Sequence, residues 1–254
     1  LHCEQGFGDT LQFCRFAQSV AALGARVIME VPPALSTVLR SVAGVSEWVV
    51  QGAPLPGFDY HCPLLSLPLA LKTTLASIPG GRAYLQNDAA KVDYWAKRLG
   101  PGTKRRVGIV WSGRSDNTND HNRSISLAGF MRGLPRDCDY VSLQRELREE
   151  DQKTLHLYRN IRHFGDELRD FSDTAALCEL VDVVISVDTS VVHLAGALGR
   201  PIWVLLHYVP DWRWLLNRTD SPWYSSARLY RQESAGDWGR VFEAVTADLI
   251  ATSA

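Results

Sequence analysis

The densest group of chemically useful side chains lies in Ile185-Ser-Val-Asp-Thr-Ser-Val-Val-His-Leu-Ala-Gly-Ala-Leu-Gly-Arg-Pro201. An apolar strand ends at Asp188, and a helix begins at once with Thr189 and Ser190. The start of a helix carries unpaired amide N–H groups and roughly half a positive charge, so it binds phosphate without needing lysine. Hydroxyls at its first positions add bonds to phosphate oxygens. His193 lies in the first turn, on the side of the same anion. The small residues Ala195, Gly196 and Ala197 let such a helix approach a sheet closely. The same pattern also suits an ordinary capped helix with a satisfied, partly buried histidine.

A second group is Glu4-Gln-Gly-Phe-Gly-Asp-Thr10. Glycines at a strand-to-helix turn allow close backbone approach by a ligand, which makes Gly8 a candidate contact. Leu11 stands where the third glycine of a dinucleotide motif belongs. Asp9 would repel a dinucleotide phosphate and fits a general base better, or else a plain helix cap. A third group, Trp111-Ser-Gly-Arg114 followed by Arg123, is a polar loop after a strand. Arg123 is of the type that neutralises a phosphate bidentately. Gln144, ending a later strand, is a candidate nucleoside contact. A fourth group is Pro210-Asp-Trp-Arg-Trp214, with Ser221-Pro-Trp-Tyr224 beyond it. Asp211, Trp212 and Trp214 suit a sugar face or a planar base, or equally an aromatic loop packed between two domains.

Other chemistries are excluded by pattern. There is no G-x-x-x-x-G-K-[ST], H-E-x-x-H or G-x-S-x-G. Asp137-Cys138-Asp139 matches a D-x-D metal pattern but follows Pro135-Arg136 in a turn, so no metal site is expected there. Asp188, Ser190 and His193 crowd one strand end without elbow glycines, which argues against a hydrolase triad.

The elements that must hold these residues alternate between strand-like and helix-like periods, which predicts an α/β fold. In the first half, residues 1–4 read as a strand tail, 10–21 as a helix ended by Gly24, 26–31 as a strand, 33–41 as a short helix and 47–50 as a strand. A proline-rich stretch follows (Pro54, Pro56, Pro63, Pro68, Pro79), then a helix over 88–99. Gly100-Pro-Gly102 is the linker candidate. In the second half, strands are expected at 106–111, 140–143, 160–164, 183–187 and 201–206. Helices are expected at 127–134, 149–158, 174–180 (capped by Asp173), 191–198 and 238–251. The division expected is residues 1–102 and 103–254, each Rossmann-like, with the last helix packing back on the first domain.

The 254 residues suit one large or two compact domains, at roughly 100–200 residues each. Hydrophobic residues are 46% and charged residues 22%, so the chain is globular rather than disordered or fibrous. A net charge of −1 excludes a broadly basic nucleic-acid binder. Any anion site must therefore be local. Five scattered cysteines without a C-x-x-C pair fit a reducing cytoplasm. The most apolar stretch, 183–206, carries Asp188, His193, Arg200 and Pro201 and is not a membrane span. The chain opens at Leu1, almost inside a strand, and a preceding segment is expected.

Taken in order, EQGFGDTLQF, FDYHCPLLSLPLAL, VGIVWSG, RSISL, VSLQ, FSDTAAL, VISVDTSVVHLAGALGRPIWVLL, PDWRWLL and SPWY resemble glycosyltransferase family 9, the lipopolysaccharide heptosyltransferase relatives. The similarity is to the bacterial branch that follows tetratricopeptide repeats. It implies a GT-B-like fold, with two Rossmann-like α/β/α domains facing across a cleft. It implies inverting, metal-independent transfer from a nucleotide-diphosphate sugar to a glycan, lipid-linked or protein hydroxyl, with no cofactor. Asp188, Thr189, Ser190 and His193 match the family's D-[TS]-x-x-x-H diphosphate motif. Arg123 falls near its basic residue, where lysine is common, and Asp9 matches the acid regarded as the base. Gln12 departs from the pattern, since heptosyltransferases usually carry a histidine there. The alternative is a non-catalytic nucleotide-sugar-binding module attached to a repeat protein. A dinucleotide oxidoreductase is disfavoured by the broken glycine motif and by Glu30 being the only acid available to hold a ribose.

Overall fold

The computed structural model describes residues 1–79, 83–116 and 118–252. The first half contains α1 (Phe7–Phe13), α2 (Ala17–Ala22), β1 (Val27–Val31), β2 (Val45–Val50), α3 (Leu67–Ala70) and α4 (Ala89–Leu99). The second contains β3 (Arg106–Val110), α5 (Asp120–Arg123), α6 (Leu127–Arg132), β4 (Asp139–Ser142), α7 (Glu149–Leu155) and β5 (Ile161–His163). It continues with α8 (Phe171–Glu179), β6 (Val183–Val187), α9 (Ser190–Ala197), β7 (Ile202–Leu206), β8 (Ala227–Arg231) and α10 (Gly239–Ala251).

The architecture is α/β, with two open parallel sheets. In the first, β1 pairs with β2 in parallel. Residues 1–2 extend it as a bridge: Glu30 N–H donates to the Leu1 carbonyl, and Leu64 N–H donates to that of His2. Of the strand tail expected over residues 1–4, the structure keeps only an isolated bridge at His2. The second sheet has the order β5-β4-β3-β6-β7-β8, all parallel. β6 and β7 are buried along their whole length, as near-continuous apolar strands covered on both faces must be.

Each face of the six-stranded sheet has its own core. On one face, Val110, Val184, Val204 and Leu206 pack with α8, α9 and residues of the first half, including Leu11, Phe13, Met29 and Trp95. On the other, Val107, Ile109, Ile185 and Leu205 pack with Phe130 of α6 and Val241, Phe242 and Val245 of α10. The closing helix therefore lies on the second sheet rather than back on the first half. Its apolar positions 241, 242, 245 and 249 form one stripe that fits the sheet face opposite α9.

Three local readings change. The helix expected over 10–21 starts at Phe7 and is broken by a 3-10 turn at Cys14–Phe16. Residues 33–41 form two 3-10 turns rather than a helix. Asp170, not Asp173, caps α8, accepting from Ser172 N at 2.8 Å. Asp173 reaches back to Arg169 N and also receives the Trp95 indole N–H (3.1 Å) and Lys91 Nζ (2.9 Å). That carboxylate ties α4 to α8. β8 has no counterpart in the sequence reading, because Arg228 and Arg231 interrupt its apolar pattern at the sheet edge.

Candidate functional site

In the order β5-β4-β3-β6-β7-β8, the chain runs outward in one direction from β3 and in the other from β6. The connection after β3 enters α6 on one face, and that after β6 enters α9 on the opposite face. Such a switch point opens a crevice at the carboxyl ends of the two strands, where open α/β sheets bind ligands. The loop after β3 and the β6–α9 turn meet there. Arg123 Nη1 donates to the Asp188 carbonyl at 2.8 Å and spans the crevice. Gly113 lies beneath it, and a β-carbon there would force the Arg123 guanidinium to shift. Asp120 holds Arg123 in turn and is itself paired with Arg148.

At the β6–α9 turn, Thr189 is extended (φ −140°, ψ 171°) and the helix begins at Ser190. The first amides of such a helix have no intrahelical acceptor. Thr189 Oγ1 lies 3.2 Å from Ser186 Oγ. Asp188 turns inward instead. Its Oδ2 accepts the Trp214 indole N–H at 2.8 Å, and its Oδ1 lies 3.9 Å from His193 Nε2. Burial raises the Asp188 pKa against the lowering effect of that hydrogen bond. An inward, buried carboxylate makes a poor phosphate ligand and a good anchor for the turn.

His193 is buried, with Nδ1 2.8 Å from the Tyr224 hydroxyl and its ring stacked on Trp214 at 5.6 Å between centroids. Burial pushes its pKa well below 6.5, with Arg213 and Arg15 adding to the effect, so the ring is neutral. The ring thus packs in the site as an uncharged group. Trp214 is wholly buried and acts through Asp188, so it offers no face to a sugar. Trp212 does, at 60% exposure. Asp211 caps its own turn by accepting from Arg213 N and pairs with Arg213 Nη1 at 3.0 Å.

The Gln144 side chain is engaged with the loop after β3. Its Oε1 accepts from Trp111 N (2.8 Å) and Ser112 N (3.0 Å), and its Nε2 donates to Ser112 Oγ and the Glu146 carbonyl. It fixes the course of the loop after β3.

The glycine turn of the first half arrives against this site. A β-carbon on Gly8 would meet His193 Cδ2 at 2.8 Å and Ser190 Cα at 3.5 Å. Gly8 is thus the close approach of α1 to α9. Asp9 follows it, with Oδ2 accepting from Gly6 N at 3.1 Å and Oδ1 from Arg213 Nη2 at 2.6 Å. Arg213 is the residue sequence reasoning missed. Its signal was a cation between two tryptophans, in a segment read for Asp211 and its aromatics. Gln12, one turn after Asp9, is fully buried, and neither amide atom finds a partner among the described residues. Asp137 pairs with Lys104 on the surface. Among the described residues, no cluster of three or more His, Cys, Asp or Glu is placed to hold a metal ion. No helix among them is long and apolar enough to cross a membrane.

Several solved structures share this fold. The chain superposes on the Escherichia coli ADP-heptose lipopolysaccharide heptosyltransferase II with a TM-score of 0.61 and 12% identity, covering 100% of this chain and 99% of that one. A glycosyl transferase family 9 structure from Veillonella parvula gives 0.66 at 10% identity, covering 99% and 94%. The E. coli heptosyltransferase WaaC with ADP gives 0.55 at 11% identity, covering 99% and 98%. The fold is therefore the GT-B-like α/β fold of these heptosyltransferase structures. Among curated sequences, Protein FlbA of Caulobacter vibrioides is 29% identical over 276 residues, covering 95% of this chain and 45% of FlbA. The chain thus spans less than half of that relative. No family model matches it.

Proposed function

We propose that the chain is a family 9 glycosyltransferase that moves a sugar from a nucleoside-diphosphate sugar to a hydroxyl acceptor, with Asp9 as base and without a metal. The observation that carries this reading is the apposition of Asp9, across Gly8, to the first turn of α9 at the switch point. The acceptor oxygen attacks the anomeric carbon from the face opposite the diphosphate. The bond from that carbon to the phosphate oxygen breaks, and its electron pair stays on the phosphate. The hydroxyl proton passes to Asp9, and the configuration inverts. A positioned base contributes about 10²–10⁴ in rate. The growing charge on the leaving diphosphate is met by the amides and hydroxyls of Thr189 and Ser190 and by the nearby guanidinium of Arg123. One preorganised donor of this kind is worth about 3–4 kcal/mol. Trp212 is the exposed aromatic face available to a sugar. The ADP named for one structural neighbour supports a nucleoside diphosphate at this position.

The same reading includes a glycan, lipid-linked or protein acceptor, a preceding tetratricopeptide array and a bacterial cytoplasmic setting. The five cysteines, all free thiols, support the last of these. A nucleotide-binding module without turnover is the second reading. It is favoured by the engagement of both Asp9 oxygens.

A thermal-shift screen against ADP-, UDP-, GDP- and CDP-sugars tests the site. A ligand at 100 times its Kd adds about 2.7 kcal/mol of stability, which appears as a higher melting temperature. Failure of all four to shift the protein contradicts the donor site. Release of nucleoside diphosphate on adding acceptors supports transfer, and tight binding without release supports the module.

A further inference from the structure

A carboxylate beside a phosphate-binding helix start poses an electrostatic problem, because Asp9 and a diphosphate repel one another. We propose that the Arg213 guanidinium serves both anions: it pairs with Asp9 and binds the diphosphate of the donor, so that the two compete for it. This rests on the donor reading given above. Diphosphate binding then draws the cation off Asp9 and leaves the carboxylate free to take the acceptor proton. Arg213 is a binding and positioning residue in this account.

Four observations support it. Arg213 Nη2 is 2.6 Å from Asp9 Oδ1, and Nη1 is 3.0 Å from Asp211 Oδ1. Its Nε is buried and finds no hydrogen-bond partner among the described residues, so one donor of the fork is unused. Its position is central. The next residue, Trp214, bonds to Asp188, and the guanidinium charge reaches both Asp188 and His193 at the start of α9. Finally, the main chain of Arg213 is held in place beside an aromatic ring. Asp211 caps the backbone N–H of Arg213, and the Trp212 ring lies 5.2 Å from its Cζ, a second surface for the cation. A planar guanidinium suits this task because it binds carboxylate and phosphate with the same fork.

Calorimetric titration of ADP, GDP, UDP and CDP, with the matching nucleosides as controls, tests the proposal on wild type, Asp9→Asn and Arg213→Gln. The two substitutions break the same ion pair, so a purely structural tie predicts affinity changes of one sign. The shared cation predicts opposite signs. Asp9→Asn tightens the nucleoside diphosphate by about fivefold or more, the lower end of ordinary site coupling. Arg213→Gln weakens it by about tenfold or more, as expected for a lost charged partner. Nucleoside affinity is unchanged in both. Arg213→Lys, which keeps the charge on a flexible stem, falls between wild type and Arg213→Gln and serves if the glutamine variant does not fold. Changes of the same sign, or tightening by Asp9→Asn with no effect at Arg213, overturn the shared cation. Wild type binding none of the four nucleotides overturns the donor reading itself.

Discussion

Gly8 and His193 are in contact across the junction of α1 and α9, and only the absence of a β-carbon on Gly8 permits it. The atom that a substitution would meet belongs to a buried ring fixed by Tyr224 and Trp214, so it has little room to yield. This contact sets the distance from Asp9 to the helix start. Gly8→Ala therefore destabilises the protein by about 1–3 kcal/mol, the usual cost of overpacking. It also weakens nucleotide binding, because α1 is pushed away from α9. Urea unfolding and a nucleotide titration measure the two effects.

The Trp214 indole is the polar partner of a buried carboxylate, and its removal leaves that carboxylate short of a donor. Trp214→Phe costs about 1–3 kcal/mol at neutral pH. Burial raises the folded-state pKa of Asp188, and the lost hydrogen bond raises it further. A raised carboxyl pKa means that stability is greatest when the group is protonated and falls as pH rises through the folded-state value. The difference between wild type and Trp214→Phe is thus larger at pH 7 than at pH 4. Urea midpoints at the two pH values measure it.

His193 titrates with the opposite consequence. Its folded-state pKa lies well below 6.5, so below that value the unfolded chain takes up a proton that the folded chain refuses. Stability from this group is present above pH 6.5 and is lost as pH falls below it. His163 and His207 are shifted the same way, also chiefly by burial, and add to the slope. His193→Asn, which keeps a partner for the Tyr224 hydroxyl, flattens the fall in stability between pH 6.5 and 5. Its urea midpoints against pH have a smaller slope than those of wild type.

Gln144 supplies the acceptor for two consecutive backbone amides after β3. Gln144→Leu leaves both buried and unpaired, at about 1–3 kcal/mol each. The loop carrying Gly113 then loses its fixed course, and nucleotide affinity falls with stability. A side chain that only touched a nucleoside would lower affinity and leave the urea midpoint unchanged.

The second sheet was legible because its central strands are buried on both faces. Runs such as Val183–Val187 and Ile202–Leu206 leave little else for the chain to do. β8 was hidden because an edge strand tolerates Arg228 and Arg231. At the site, Asp9, Thr189 and Ser190 could be placed from local pattern, since a strand-to-helix turn fixes where such residues point. The roles of Asp188, His193 and Trp214 depend on which way three side chains turn, and the bonded pair Asp188 and Trp214 lies 26 positions apart in the chain. Arg213 was missed for the same reason: its partner Asp9 is 204 residues away.

Turnover of Asp9→Asn with a nucleotide sugar that binds the wild type, read beside its nucleotide affinity, tests the central claim most directly. The account predicts a fall in turnover of about 10²–10⁴ with nucleotide binding retained or tightened. Turnover close to that of wild type would contradict it.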